Sequence, residues 1–482
     1  MVSPFLKQAW TVSGVLLNML GQGMLLSFTT CLLPALRDPS SPIQADLDTA
    51  SMLASSVGLS GIPGFLISSF LMDWRGRKFA HFVMVLPGIV GWLMVYFANG
   101  VTALMIGRLL GGMSAGSTVC LGAVVIGEYT SPKSRGMFLN LKTASVCLGS
   151  MVVHILGNFF TWRTIALQAL VPHVASLFVI YTWPESPAWL ASRKQFEKSE
   201  NAFYWLRGND KTSISELEEI FRAQKERDIE GMPEKSISGK IADFLKKFTK
   251  KDFIKPVIII FLGAILLEAS GRHIFPAYAL QIIEEITGDK SQSFYYTLAI
   301  DLIITLSATF SSVLVKLFKR RTLLFSTGFA AVIVLLSVCA YLFLASRHII
   351  ADDRVWVPIA MFVLYFILAN LGCTPIPLAL LGEIFPLAHR GAGSAVAGFV
   401  LSIGVMLGLQ VTPYLMVNLK VYGTFAVLGA TMAFALACMF FILPETKDRT
   451  LQEIEDYFVH GEFKDKIRRQ SDIEEVKMKM LK

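Results

Sequence analysis

The sequence predicts an all-α membrane protein whose twelve transmembrane helices form two pseudo-symmetric bundles of six. Composition is the first reason: 54% of the 482 residues are hydrophobic and only 17% are charged, whereas soluble domains usually carry about 25% charged residues. The second reason is that apolar runs of the roughly 20 residues needed to cross a bilayer recur from end to end. The third is a set of motifs that occurs twice in the same order.

Twelve apolar runs are the predicted spans, numbered 1 to 12 in chain order. They lie at 9–36, 50–72, 79–98, 102–126, 137–160, 163–183, 256–283, 294–318, 322–345, 355–382, 391–417 and 423–443. A polar stretch separates the first six runs from the last six. We therefore predict an N-terminal six-helix bundle at 1–183, a cytoplasmic helical linker at 184–255, a C-terminal six-helix bundle at 256–443 and a cytoplasmic tail at 444–482. Inside the linker, apolar residues at helical spacing beside several lysines predict an amphipathic helix at 241–248.

Basic residues gather in alternate loops. They are Arg75, Arg77 and Lys78 after span 2, Lys133 and Arg135 after span 4, Lys316, Lys319, Arg320 and Arg321 after span 8, and Arg390 after span 10. Because loops rich in Lys and Arg stay in the cytoplasm, both chain termini are expected there. The net charge of +8 is then a topology signal rather than a nucleic-acid-binding face. We expect a multi-pass plasma-membrane protein in contact with lipid, with no nucleic-acid partner.

An internal repeat links the two sets of six spans. The matched motifs are DWRGRK at 73–78 with KLFKRR at 316–321, GEYTSPKSRG at 127–136 with GEIFPLAHRG at 382–391, and PESPAWL at 184–190 with PETKDRTL at 444–451. Three matched motifs in one order indicate two homologous halves. Parallel halves of this kind enclose a binding site near the middle of the membrane.

Nothing in the sequence points to an enzyme. The six cysteines stand singly and no metal-ligand spacing occurs, so no metal and no cofactor are expected. GMSAG at 112–116 has the spacing of an esterase motif, but it lies inside an apolar run rather than at a strand-to-helix turn. Its glycines, with Gly107 and Gly111, fit a close helix-packing face instead.

The repeated motifs resemble those of the sugar porters of the major facilitator superfamily, over nearly the whole chain. The Pro375-Ile376-Pro377 sequence of span 10 is similar to a further signature of that family. Thr143 and the stretch 382–386 resemble insect facilitated trehalose transporters. The resemblance implies a monomeric carrier that moves a small solute, trehalose or a hexose, by alternating access and facilitated diffusion.

The resemblance also implies charge pairs that latch the cytoplasmic side. The matching positions are Asp73, Arg77, Glu128, Arg135, Glu185, Arg320, Arg321, Glu383, Arg390 and Glu445. Such pairs suit a switch because each is modest in strength and can be exchanged. The alternative is that these residues only signal topology. In the second half, Lys316 and Lys319 depart from the pattern, which predicts a weaker or rearranged latch there.

The resemblance places a substrate site among polar residues of spans 5, 7 and 10. The candidates are Thr143, His154, Glu268, His273 and Asn370, with Tyr278 as an aromatic outer gate. Several amides usual in the family are absent, so the resemblance alone does not fix the sugar. Glu268 and Arg272 stand four apart on a predicted helix and can pair, which leaves two interpretations: substrate contact by Glu268 and His273, or a structural pair. For Tyr278, plain packing is the alternative, and Lys142 and Asp301 are either cavity residues or snorkel to water from span ends.

Facilitated diffusion is favoured over proton coupling. Proton-coupled relatives carry a carboxylate in span 1 opposite an arginine in span 4; here Arg108 is present, but no acidic residue precedes Asp38. Glu268 keeps proton coupling open, since a carboxylate in a dry cavity can hold a proton. Two further hypotheses stay open: a carrier of a different, charged solute, suggested by Glu268 and Arg272, and a non-transporting sensor.

Overall fold

A computed structural model describes residues 3–210, 213–218, 220–222, 251–350, 356–385, 390–447, 454 and 457–458. These residues form helices joined by turns, with no strand among them. The predicted amphipathic helix at 241–248 and most of the predicted tail lie outside the described residues.

The spans follow one another with short connections. Spans 1 to 5 are Pro4–Arg37, Leu47–Arg75, Arg77–Tyr96, Val101–Tyr129 and Pro132–Phe159, and span 6 consists of Trp162–Gln168 and Leu170–Thr182. Span 7 consists of Lys251–Ala269 and Ile274–Thr287, spans 8 and 9 are Lys290–Leu317 and Arg320–Ser346, and span 10 consists of Trp356–Leu371 and Pro375–Glu383. Arg390–Ile442 completes the set.

That last segment contains two crossings. Within the described residues, 11 helical stretches are long and apolar enough to cross a membrane, and the last, Val396–Ile442, has 47 residues. This is about twice the length that one crossing requires. The backbone leaves the helical conformation at Lys420, with φ 56° and ψ −178°, which separates span 11 from span 12. The twelve predicted crossings are therefore present.

Each set of six spans has its own apolar core. One cluster of buried side chains runs from Phe253 to Phe458 and takes in only Leu33, Ala50 and Ala54 from the first six spans. The other clusters are built from residues between Val12 and Leu206. Two bundles of six helices are thus packed side by side. The boundaries of the four predicted segments stay a prediction.

The repeated motifs lie at one end of this bundle pair, which we call the motif end; the opposite end, where residues 38–46 join spans 1 and 2, is the far end. Two short helices, Pro187–Ser192 and Phe196–Arg207, cover the motif end. Gln8 of span 1 ties the second of them to the start of span 5: its Nε2 donates to the Leu206 carbonyl at 3.2 Å and its Oε1 accepts from the Ser131 N–H at 2.9 Å.

Glycines let spans 2 and 4 touch backbone to backbone. A Cβ on Gly116 would lie 2.5 Å from the carbonyl oxygen of Gly61, and one on Gly112 would lie 2.2 Å from Ser60 Oγ. The motif at 112–116 is therefore a helix-packing face, as predicted. Small residues of this kind allow close van der Waals contact between helices in lipid, where apolar burial gives no driving force.

The substitution Gly116→Ala tests this contact. We expect it to lower the free energy of unfolding by about 1–3 kcal/mol, because the added methyl group forces spans 2 and 4 apart. The measurement is the thermal midpoint Tm in one detergent. Gly127→Ala on the same span is the matched control, since a Cβ there meets nothing within 4 Å. Equal Tm values for the two variants would contradict the close-packing account.

Candidate functional site

At the motif end, Glu185 caps the start of span 3. Its Oε1 accepts from the N–H of Arg77 at 2.8 Å and from the N–H of Lys78 at 3.1 Å, and its Oε2 accepts from the same Lys78 N–H at 3.2 Å. An anion is stabilised there because the first N–H groups of a helix have no partner within the helix. Gly76 allows the approach: its φ is +97°, and a Cβ there would lie 2.4 Å from Glu185 Oε2.

The second half repeats this cap. Glu445 accepts the N–H groups of Arg320 and Arg321 at the start of span 9, each at 3.1 Å. Lys319 stands where the first half has Gly76, and its backbone is extended, with φ −63° and ψ 136°. The KLFKRR motif therefore keeps the carboxylate cap, although the residue before the helix has an extended backbone there and a positive φ in the first half.

Side chains at the start of the capped helices in turn cap the C-terminal ends of spans 6 and 12. Lys78 Nζ donates to the carbonyls of Tyr181 and Trp183 at the end of span 6, at 2.9 Å and 2.8 Å. Arg321 donates to the carbonyls of Phe440 and Leu443 at the end of span 12. Spans 3 and 6, and likewise spans 9 and 12, therefore exchange caps, with a cation at each helix C-terminus.

Arg77 makes the ion pair of the first half. Its Nε and Nη2 donate to the two oxygens of Glu128, both at 2.8 Å, in the bidentate geometry that guanidinium and carboxylate favour. Ser186 also donates to Glu128, at 2.5 Å. This cluster ties the ends of spans 3 and 4 to the chain after span 6.

The other residues predicted for the latch are placed differently. Asp73 takes part through its backbone carbonyl, which accepts from Trp189 Nε1 at 3.2 Å. The buried Nε of Arg135 has no hydrogen-bond partner in the described part of the chain. The side chains of Glu383 and Arg390 lie outside the described residues. The hydrogen bonds and ion pairs between described residues at the motif end stay inside each half, and a latch between halves stays a prediction.

Span 7 is interrupted where the sequence places Glu268 and His273. The helix ends at Ala269 and resumes at Ile274, across a turn in which Gly271 has φ +76°. Glu268 Oε1 pairs with His273 Nδ1 at 2.8 Å, with the side chains 9% and 15% exposed. Glu268 does not pair with Arg272, because the turn removes the helical spacing that such a pair requires.

Glu268 is also pressed against span 11. A Cβ on Gly404 would lie 3.2 Å from its Cγ, and one on Gly408 would lie 3.4 Å from its Oε2. That Oε2 is buried without a hydrogen-bond partner among the described residues. The Glu268–His273 pair belongs to the second half alone, and its contact with a solute stays a prediction.

His154 lies against the opposite half. Its Nδ1 is 2.6 Å from Asp301 Oδ2 on span 8, and its Nε2 is 3.1 Å from the Pro276 carbonyl on span 7. Asp301 is only 4% exposed, so it does not snorkel to water from the end of its span. Lys142 donates to the Val119 carbonyl at 2.7 Å.

Tyr278 lies at a second irregularity of span 7, with φ −131° and ψ 15°. Its hydroxyl donates to the Leu409 carbonyl of span 11 at 2.9 Å, and the residue is buried. On the first half, Thr29 and Thr30 donate to the Ala277 and Pro276 carbonyls at 3.0 Å and 2.9 Å. Tyr278 thus stands beside the place where span 1 meets span 7, and its gating role stays a prediction.

The last two candidates for the substrate site, Asn370 and Thr143, take no part in the hydrogen bonds between the halves that the structure describes. Asn370 on span 10 donates to the Phe366 carbonyl at 2.8 Å and is buried. Thr143 on span 5 is half-buried. Their contact with a solute also stays a prediction.

Comparisons with known proteins follow the same lines. The family described as "Sugar (and other) transporter" matches residues 24–458. The chain belongs to this transporter family. Similar curated proteins are facilitated trehalose transporters named Tret1, from Aedes aegypti, 24% identical over 434 residues, and from Culex quinquefasciatus, 24% identical over 450 residues. These alignments cover 90% and 93% of this chain; the chain spans 53% of the length of the Aedes relative and 85% of the Culex relative.

Solved structures agree with the fold of this transporter. A proton:xylose symporter, XylE, bound to 6-bromo-6-deoxy-D-glucose has a TM-score of 0.73 at 18% identity, over 93% of this chain and 99% of that one. The inward-open xylose transporter XylE from E. coli also has a TM-score of 0.73 at 18% identity, over 94% and 99%. The predicted major facilitator fold is confirmed.

Sequence reasoning missed how the transporter holds Arg108. This fully buried side chain donates to the Leu53 carbonyl at 3.2 Å and to the Leu25 carbonyl at 2.8 Å. Backbone carbonyls of spans 1 and 2 therefore take the place of a carboxylate. The sequence shows a cation in span 4 and no acidic residue in span 1, but it does not show which groups bind the cation.

Replacing Glu185 or Glu445 with alanine tests the caps. We expect each change to lower the free energy of unfolding by about 0.5–2 kcal/mol, because the first two N–H groups of span 3 or span 9 lose their acceptor. The Tm of purified protein measures it, with Glu284→Ala at an exposed position as the matched control. A Tm as high as that of the control would mean that these carboxylates do not cap the helices.

Proposed function

We propose that this transporter carries a sugar, trehalose or a hexose, by facilitated diffusion and alternating access. The observation that carries the proposal is where its halves are bonded. Among the described residues, the hydrogen bonds between the first six spans and the last six all lie between the midpoints of the spans and the far end. They join Thr29 to Ala277, Thr30 and His154 to Pro276, His154 to Asp301, Ser55 to Gln410, and Tyr414 to Asp48.

Bonds at one end only are what a carrier needs when it is closed to one side. Rigid halves that rock about a central site must seal one end at a time. Because each half carries its own core and its own exchanged helix caps, it can move as a body. The motif end carries the basic loops, so we place it and both termini in the cytoplasm, with the far end outside the plasma membrane.

Two observations support a sugar and facilitated diffusion. The similar curated proteins are named facilitated trehalose transporters. Arg108 is held by carbonyls rather than by a span 1 carboxylate, so the acidic partner of proton-coupled relatives is missing. We expect the solute to meet Asn370 and Thr143, with a cofactor playing no part and the monomer as the working unit.

One observation favours a second candidate, an anionic sugar. Arg272 has no hydrogen bond or ion pair with the described residues, and it lies within electrostatic range of Lys142 on the other half. Two cations near each other from opposite halves would favour a solute with a carboxylate, such as a sugar acid. Competition by glucuronate at concentrations where glucose does not compete would support this candidate.

Uptake into proteoliposomes tests the main proposal. With labelled trehalose, glucose and fructose, we expect saturable uptake of at least one sugar without a proton gradient. Asn370→Ala is expected to raise KM about 2- to 10-fold, the size of one lost hydrogen bond. Asn418→Ala is the matched control, since that exposed side chain donates only to the Tyr414 carbonyl of its own helix. Folded, correctly reconstituted protein that moves none of the three sugars would rule the proposal out.

A further inference from the structure

A buried histidine is bonded across the two halves of the molecule. His154 of span 5 lies 2.6 Å from Asp301 of span 8, and the side chains are 0% and 4% exposed. The other ring nitrogen lies 3.1 Å from the Pro276 carbonyl of span 7. Both ring nitrogens of this one residue therefore face oxygen atoms of the opposite half.

These partners determine how many protons the pair holds. A backbone carbonyl can only accept, so His154 Nε2 carries a hydrogen and donates to Pro276. Nδ1 then either donates to an ionised Asp301 or accepts from a protonated one. In both cases the pair holds one proton more than a neutral imidazole and a free carboxylate hold together.

That extra proton depends on the contact between the halves. A histidine in water titrates near pH 6.5 and an aspartic acid near pH 3.9, so at neutral pH the separated groups hold no extra proton. We propose that closing the far end takes up one proton at His154 and Asp301, and that opening it releases that proton. The conformational balance of the carrier then depends on the pH outside the far end. The inference requires of the proposed function only that the halves separate there.

The direction in which pH changes the ratio of closed to open far ends follows from proton linkage. Below about pH 6.5 the separated imidazole keeps its own proton, so opening releases none and the balance is flat. Above that pH opening releases one proton, and the ratio of closed to open far ends falls by up to about tenfold per pH unit. Acid outside the cell therefore favours the carrier closed to the outside.

The neighbouring titratable groups do not explain such a profile. Cys31 donates to the Val153 carbonyl beside His154, and Cys147 lies within electrostatic range of Asp301. A cysteine thiol does not ordinarily titrate near pH 6.5. The histidine of the interrupted span, His273, is bonded to Glu268 within the second half.

The two spans that carry the pair also offer a reporter. Phe159 and Phe294 are in edge-to-face contact at the far ends of spans 5 and 8, with ring centroids 6.1 Å apart. Spin labels on Phe159→Cys and Phe294→Cys, with the six native cysteines replaced, report the separation of the halves by pulsed EPR. Measurements in nanodiscs from pH 5.5 to pH 8.5 need no sugar, so they do not depend on whether a given sugar is transported.

We expect the short-distance population to be constant below about pH 6.5 and to fall as the pH rises above it. His154→Gln and Asp301→Asn keep hydrogen-bonding side chains but lose the proton site, so both should give a flat profile. His273→Gln is the matched control and should keep the slope. A flat profile in the unmodified protein, or a slope that survives His154→Gln and Asp301→Asn, would overturn the proposal.

Discussion

The interruption of span 7 is the feature on which the rest of the site depends. In lipid, every backbone group must find a partner within the protein, and the turn after Ala269 and the irregularity at Tyr278 leave carbonyls without their helical donors. Tyr365 of span 10 donates to the Ser270 carbonyl at 2.9 Å. Thr29, Thr30 and His154 donate to the carbonyls of Pro276 and Ala277. Some of the hydrogen-bond donors for the span 7 carbonyls thus come from the other half. The bonds that satisfy this backbone therefore also hold the two halves together.

At the motif end, the described polar bonds lie within each half rather than between the halves. There the carboxylates and cations of the repeated motifs are used inside each half, where Glu185 and Lys78 join spans 3 and 6, and Glu445 and Arg321 join spans 9 and 12. Such bonds make the helix ends rigid without joining the halves. The same charges that signal topology therefore also keep each half a single body, which is a condition for rocking rather than unfolding.

The fold could be predicted from sequence because its signals are long or repeated. Twenty-residue apolar runs and three motifs that occur twice each point to the same architecture. The site could be predicted only in part. The spacing of Glu268 and Arg272 predicts a pair on a continuous helix, but Gly271 adopts φ +76° and His273 takes the carboxylate. His154 and Asp301 are 147 positions apart, so no local pattern relates them.

The strength of the far-end contact is limited by what a carrier must do. Each neutral hydrogen bond contributes about 0.5–1.5 kcal/mol net, because water replaces the partners when the bond opens. Thr29, Thr30 and Ser55 form bonds of this neutral kind. Such bonds close the far end without trapping it, beside the apolar contact that Leu33, Ala50 and Ala54 make with the core of the second half. Among the described residues, two inter-half bonds join ionisable side chains, His154 with Asp301 and Tyr414 with Asp48, and only the first pair is buried. Charge-assisted bonds are roughly twice as strong as neutral ones, and burial shields the bond between His154 and Asp301 from competing water. His154 is also the only residue in these bonds whose side-chain type ordinarily titrates within the physiological pH range.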